Sequence, residues 1–324
     1  MPLQLSDLDN AIAHWVELAG AQGRLINHSE NHTFLFSAPQ GEAYCLRVHR
    51  PAYQSVANIE SELAWLAALH RQTDLLIPEP IAGKDGRLLQ RFKTAAGDVL
   101  HAVLFHFIPG HEPTPESNLV DLFAVLGRYA AGLHKHVIDW PLPAGFERQA
   151  WTADAILDVD GLWGDWRTAP GVTTEVRDVL DRAQLLLRQR LADYGTGADR
   201  YGLIHADMRL GNLLVEGDRV SLIDFDDCGF CWFGYDFAAA ISFHETHKAV
   251  PALKAAWLEA YQVIRPLSTE DIDMLESMVM LRRMALLAWI GSHSETNLAQ
   301  THVDGFAEGT VELAQRYLSG AIWP

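Results

Sequence analysis

The sequence predicts an α+β fold in two lobes, an N-terminal antiparallel sheet with one helix and a larger C-terminal lobe that is mainly helical. Three observations lead there. Residues 1–107 hold short apolar runs separated by Asn, Ser, Pro and Gly, as hairpin strands require. Residues 108–324 hold long segments whose apolar positions recur about every 3.6 residues. The two regimes meet at Ile108-Pro109-Gly110, a breaker cluster that continues to Pro113 and Pro115 and reads as a linker.

The elements follow in order. Leu8, Ile12, Trp15, Val16 and Ala19 recur at helical spacing. Ser6 suits the cap of that first helix, Asp7 and Asp9 its positive end, and Gly20 its stop. Strands are expected over Arg24–Ile26, Thr33–Ser37 and Ala43–Val48. A second helix runs from Ser55 to His70 with Ile59, Leu63, Leu66 and Leu69 on one face. Arg87–Phe92 and Val99–Phe107 form two more strands around a Gly97-Asp98 turn. In the second lobe, helices are expected over Leu119–His136, Thr173–Tyr194, Pro251–Ile264 and Thr269–Ile290. Ser268 and Asp271 open the last with a capping-box pattern. Leu213–Val215 and Val220–Ile223 flank Glu216-Gly217-Asp218 and read as a hairpin. No internal repeat is visible.

Composition narrows the function. Forty-two acidic residues against 25 basic ones leave a formal charge of −17. That charge repels a phosphate backbone and argues against nucleic acid as a partner. Three cysteines (Cys45, Cys228 and Cys231) are too few and odd in number for a disulfide framework, which points to a reducing cytoplasm. The acidic opening MPLQLSDLDN lacks the basic and apolar regions of a signal peptide. The best apolar run, Met284 to Ile290, falls far short of the ~18–20 residues of a membrane span, so no membrane partner is expected.

The chemistry lies in His205-Ala206-Asp207-Met208-Arg209-Leu210-Gly211-Asn212 and, after the hairpin, Leu222-Ile223-Asp224-Phe225-Asp226. Phosphoryl transfer from a nucleotide needs one carboxylate to orient the attacking hydroxyl. It also needs an amide oxygen and a second carboxylate to hold Mg²⁺ on the phosphates. A short hairpin between the two segments brings such parts together. Asp207 is therefore assigned as base, Asn212 and Asp224 as Mg²⁺ ligands, and Arg209 as a partner for the transferring phosphate.

These residues resemble the protein-kinase-like phosphotransferases: aminoglycoside phosphotransferases, choline kinases, type II homoserine kinases and, most closely, the bacterial stress response kinase A branch. The resemblance covers most of the chain. Ser29-Glu30-Asn31-His32-Thr33-Phe34-Leu35-Phe36 resembles the group's nucleotide-positioning loop. Tyr44 to Pro51 resembles its third strand, and Glu60-Ser61-Glu62-Leu63 the helix bearing the partner Glu. Leu104–Gly110, with Phe105 and Phe107, resembles the hinge that meets the adenine. Asp236 resembles the Asp that braces the catalytic loop, and Arg282 to Trp289 a late helix. The resemblance implies a two-lobed kinase-like fold with Mg·ATP in the cleft. It implies Asn31, Arg47, Glu62, Phe105 and Phe107 on the nucleotide. Two departures stand out. Arg47 occupies the place of the phosphate-anchoring Lys, and the planar fork of Arg is not interchangeable with an ammonium. Ala206 follows the loop His where the small-molecule kinases usually carry Gly. Arg47 pairs best with Glu62, which shares a stripe with Leu66 and Leu69; Glu60 competes.

Other signals stay open. Cys228-Gly229-Phe230-Cys231 has no second pair for zinc and reads as structural. His244-Glu245-Thr246-His247 is one residue short of H-E-x-x-H, with its histidines on one helix face. Asp226 and Asp227 contact a cationic substrate or second metal, or form a solvated loop. Arg282, Arg283 and Trp289 line an acceptor pocket, or form a surface salt bridge and a core anchor. The expected function is transfer of the ATP γ-phosphate to a hydroxyl. The expected acceptor is Ser or Thr of a protein or, next, a homoserine-like amino alcohol, then choline-like or aminoglycoside molecules. A nucleotide-binding regulator, suggested by Arg47, and a metal-dependent hydrolase are the competing classes.

Overall fold

The computed structural model describes residues 3–28, 31–51, 53–114 and 117–323. Ser29 and Glu30 of the expected nucleotide loop, Pro115 of the expected linker and the opening Met1-Pro2 lie outside the described residues. The elements in chain order are α1 (Asp9–Ile12), β1 (Gln22–His28), β2 (His32–Ser37), β3 (Ala43–His49), α2 (Val56–Gln72), β4 (Pro80–Ile81), β5 (Gln90–Lys93), β6 (Val99–His106), α3 (Leu119–Asp139), α4 (Ala153–Leu157), α5 (Thr174–Tyr194), β7 (Tyr201–Ile204), β8 (Leu213–Glu216), β9 (Arg219–Leu222), β10 (Gly229–Trp232), α6 (Tyr235–Ala240), α7 (Val250–Gln262), α8 (Thr269–Ser292), α9 (Asn297–His302) and α10 (Phe306–Ser319). They gather into two compact units. The first is Met1–His111 with Leu142–Arg148 and Leu214–Asp226; the second is Glu112–Pro141, Gln149–Leu213 and Asp227–Pro324.

In the first unit, β1, β2, β3, β6 and β4 form one antiparallel sheet, with β5 also paired to β6. Phe34, Phe36, Leu46, Val48, Ala102 and Leu104 alternate onto one face, where Leu8, Ala11, Trp15 and Leu18 cover them. The expected first helix is a correction. A 3₁₀ turn over Leu5–Asp7 leads into the single helical turn α1, and i→i+3 turns carry the chain to Ala21. Gln4 and Asp7 cap each other, Ser6 lies inside the 3₁₀ turn, and Val16 is exposed. The turns bury Leu8, Ala11, Trp15 and Leu18 in place of the expected stripe, and the Trp15 indole N–H donates to the Ile81 carbonyl at 3.0 Å, which holds the segment to the sheet. The two-residue strand β4 escapes sequence reading because it is brief and contains a proline.

The α2 helix starts where its cap predicts, with the Ser55 hydroxyl accepting from the Asn58 N–H. Ile59, Leu63, Leu66 and Leu69 are buried as one face, and the same face buries Glu62. The β8–β9 hairpin forms as expected, and the Leu222 N–H donates to the Leu76 carbonyl. Gly110, with φ +137°, lies against the backbone of Val215, where any Cβ would come within 3.1 Å of its N and O. Only glycine serves at that crossing.

The second unit is built around α8. Its apolar residues run nearly all round the helix, so it is a central element. The Ser268–Asp271 capping box opens it as expected. Helices α3 and α7 pack so closely at Gly127 that a Cβ there would meet the Trp257 carbonyl oxygen at 2.3 Å. Among the described residues no helix is long and apolar enough to cross a membrane.

Candidate active site

Strand β3 and helix α2, inside the first unit, carry Arg47 and Glu62, two of the residues expected to bind nucleotide. Arg47 points from β3 with only 8% exposure and donates from one Nη to both Glu62 carboxylate oxygens at 2.8 Å. The pairing is with Glu62, not Glu60, because Glu62 shares the buried stripe of α2. The guanidinium carbon lies 5.2 Å from the centroid of the Phe105 ring on β6, a cation–π stack a lysine would form less well. Phe107 lies just past the end of β6, its backbone N–H on the Ala43 carbonyl. Burial opposes charge on Arg47. Glu62, Asp226 and Asp224 outweigh it and hold the guanidinium charged, above its usual range. Burial likewise pushes the Cys45 thiol, two residues earlier, up to about 11.

Asp224 follows β9 with φ +65°, a left-handed conformation that Asp tolerates better than most residues. That conformation ends the strand and turns the chain sharply at the carboxylate. Asp226 is not a solvated loop residue, as one sequence reading had it. It is buried, and its Oδ2 accepts from the Asn31 amide at 2.9 Å. Sequence reading missed this because two consecutive aspartates look like surface. The Asp226 carbonyl accepts from Gln54 and from the Arg148 guanidinium. Arg148 also donates to the Gln54 side chain and the Asn58 carbonyl. Asn31 in turn accepts from the Arg50 N–H through its Oδ1.

The residues expected to act in catalysis, Asp207 and Arg209, lie inside the second unit. Asp236, at the start of α6, accepts from the Ala206 N–H at 2.8 Å and the His205 N–H at 3.3 Å. Buried His134 bonds the same carboxylate through Nε2 and the Tyr261 hydroxyl through Nδ1. Since a carboxylate only accepts, Nε2 carries the proton and Nδ1 accepts from Tyr261. Burial lowers the His134 pKa and keeps the ring neutral, outweighing the opposing pull of Asp236. This brace holds Ala206 at φ +67°, a left-handed conformation strained for any residue with a Cβ.

Asp207 is engaged on both oxygens. Oδ1 accepts from Arg282, and Oδ2 accepts from Arg209 Nε at 3.1 Å and Asn212 Nδ2 at 2.8 Å. Burial alone would raise its pKa; Arg282, Arg209 and His205 reverse this and hold the carboxylate below the usual range. Asn212 commits its amide N–H₂ to Asp207, its second bond going to the backbone carbonyl. Its carbonyl oxygen is of the hard type that could hold a divalent cation.

Sequence reading left Arg282 undecided between an acceptor pocket and a surface pair. The surface alternative fails for both arginines of α8, since both are buried. Arg282 also reaches the Ser242 hydroxyl and lies over the Trp163 and Tyr235 rings. Arg283 pairs with buried Glu245 and stacks 3.5 Å from the Phe306 centroid. His244 to His247 are a correction too. They lie in turns between α6 and α7, and Glu245 faces Arg283. Cys228 and Cys231 are buried and form no disulfide. Among the described residues no cluster of His, Cys, Asp and Glu has the form of a metal centre.

The phosphotransferase enzyme family model matches residues 22–271. The chain belongs to that family. The microcompartment-associated aminopropanol kinase is 42% identical with a TM-score of 0.87, covering 95% of this chain and 96% of that one. The amicoumacin kinase of Bacillus subtilis is 24% identical over 219 residues, 67% of this chain and 61% of that protein. The homoserine kinase of Gluconobacter oxydans is 27% identical over 252 residues, 75% of this chain and 72% of that protein. This phosphotransferase therefore shares its fold with small-molecule kinases, and the protein-kinase-like architecture expected from its motifs is the one observed.

Proposed function

We propose that this phosphotransferase moves the γ-phosphate of Mg·ATP to the hydroxyl of a small amino alcohol. The observation that carries the reaction class is Asp207, a part-buried carboxylate held ionised in a loop that Asp236 braces. Bound Mg·ATP would supply the phosphoryl group and the charge that screens it. The residues suit that group: Arg47 keeps a buried Nε donor without a partner, Asp226 a buried Oδ1 acceptor, and Asn212 a carbonyl oxygen. Asn31, Arg47, Glu62, Phe105 and Phe107 bind nucleotide; Asn212 and Asp224 take the divalent ion. Asp207, kept a weak base by its arginines, orients the acceptor hydroxyl and takes its proton late in the transfer. Arg209 meets the charge on the transferring phosphoryl group.

We rank the amino alcohol ahead of a protein hydroxyl because the aminopropanol kinase resembles this chain across almost its whole length. Homoserine is the second acceptor, supported by the curated homoserine kinases. The test is turnover of Mg·ATP with 1-amino-2-propanol, ethanolamine, homoserine, choline, an aminoglycoside and a basic protein. The expected result is transfer to an amino alcohol that falls on the order of 10²–10⁴-fold in Asp207→Asn. Transfer to the protein alone overturns the acceptor reading, and an unaffected Asp207→Asn overturns the mechanism.

A further inference from the structure

We propose that Asp226 is a positioning residue for the nucleotide, acting through Asn31 and Arg47; this rests on the Mg·ATP reading above. Asp226 joins four pieces of the first unit. Its Oδ2 holds the Asn31 amide of the expected nucleotide loop at 2.9 Å. Its Oδ1 stands 4.0 Å from Arg47 Nη1, too far for a hydrogen bond and near enough for attraction. Its carbonyl ties Gln54, beside the start of α2, and Arg148 of the 142–148 segment. The side chain is nine-tenths buried, and Oδ1 has no hydrogen-bond partner.

A purely structural aspartate would be saturated. A buried carboxylate oxygen without a partner is costly, and proteins keep such atoms where another group completes them. Arg47 shows the matching gap, a buried Nε without an acceptor. Asp226 also accounts for arginine in place of lysine. One Nη of Arg47 serves Glu62 and the other faces Asp226, a division between two carboxylates that a single ammonium at the end of a flexible stem cannot hold. Asp226 thus sets both the loop amide and the orientation of the cation that meets the phosphates.

The experiment is a double-mutant cycle on Asp226 and Asn31 in the full chain, read by Mg·ATP binding and by separate KM values for ATP and acceptor. Asp226→Ala raises the Kd and KM for Mg·ATP about tenfold or more and leaves the acceptor KM within about twofold. Asn31→Ala does the same, and the double variant is no worse than the weaker single one. Asp226→Asn keeps an acceptor for Asn31 and falls between wild type and alanine; it carries the test if Asp226→Ala does not fold. Independent, additive effects, unchanged nucleotide affinity, or an acceptor KM that rises in step overturn the proposal. Wild-type protein that binds and turns over Mg·ATP while the variants keep its affinity overturns this inference alone. Wild-type protein that binds no Mg·ATP overturns the parent reading and this one with it.

Discussion

The two units solve opposite electrostatic problems. In the first, Glu62, Asp224 and Asp226 act on Arg47, with Arg148 the other cation at hand. In the second, Arg282 and Arg209 act on Asp207. One cluster is rich in carboxylate around a cation, the other rich in arginine around a carboxylate. Glu62 and Asp226 are buried with Arg47 and Arg148, while Asp224 is exposed, so the cluster keeps one solvent-reachable carboxylate beside its buried charges. An excess of arginine keeps Asp207 anionic and weakly basic. Such a group orients a hydroxyl and receives its proton only as the phosphoryl bond forms.

The largest expected effect separates the clusters. Asp207→Asn lowers kcat by on the order of 10²–10⁴-fold while nucleotide affinity stays within about twofold. Single-turnover kinetics beside nucleotide titration checks this, and a parallel loss of binding breaks the division of labour. Arg282→Met comes next. It leaves part-buried Asp207 with one arginine fewer; breaking a fully buried pair costs about 3–5 kcal/mol, and the 14% exposure of the Asp207 side chain brings the loss to the lower end of that range. Denaturant unfolding measures that cost. The loss for Arg209→Met stays below about 1 kcal/mol, because the Arg209 side chain is 31% exposed.

The asymmetry between these clusters was only half legible in the sequence. Arg47 and Glu62 were readable as a pair because Glu62 shares the helical stripe of Leu66 and Leu69. Asp207 and Asn212 were readable as neighbours because they lie five residues apart in one loop, and their side chains meet at 2.8 Å. Arg282 was not, since 75 residues separate it from Asp207 and no periodic pattern links α8 to that loop. Asp226 was hidden by Asp227 beside it, two acids that read as solvated. The first helix failed for another reason. Successive short turns bury Leu8, Ala11, Trp15 and Leu18, a set also spaced three or four apart, and periodicity does not separate them from one helix.

The histidines extend the contrast to pH. His49, in the first unit, is buried with no hydrogen-bond partner on either ring nitrogen; His134, in the second, has partners on both. Burial lowers both pKa values, that of His49 well below its usual range. The unfolded chain therefore binds protons that the folded chain refuses. Stability is fully present above about pH 6.5 and falls with acidification by up to about 1.4 kcal/mol per pH unit for each such ring. Melting temperature measured from pH 8 to pH 5 should be flat and then decline. His49→Leu removes a buried polar ring and makes the decline shallower without loss at pH 8. His134→Leu strips partners from Asp236 and Tyr261 and lowers stability at every pH. Equal behaviour of the two variants erases this part of the contrast.

The smallest effect concerns backbone strain, which both units place beside their key carboxylates. Asp224 has φ +65° and Ala206 has φ +67°. At 224 the residue is an aspartate, a type that tolerates the left-handed region better than most. At 206 a methyl group is all that the strain supports, and the Asp236 carboxylate holds it in place through two backbone N–H groups. A left-handed non-glycine residue costs about 1–2 kcal/mol. Glycine removes that cost but adds about 0.4–1 kcal/mol of unfolded-state freedom. Ala206→Gly should therefore change stability by less than about 1.5 kcal/mol, in the stabilising direction. Because Asp236 fixes the loop from outside, kcat should hold within about twofold. The same Ala206→Gly change in an Asp236→Asn background tests the brace directly. There the loop has lost its charged acceptor, and glycine should let it leave the left-handed basin and lower kcat further. A kcat that glycine leaves unchanged in both backgrounds would mean that the loop's shape is set by its own sequence and not by Asp236.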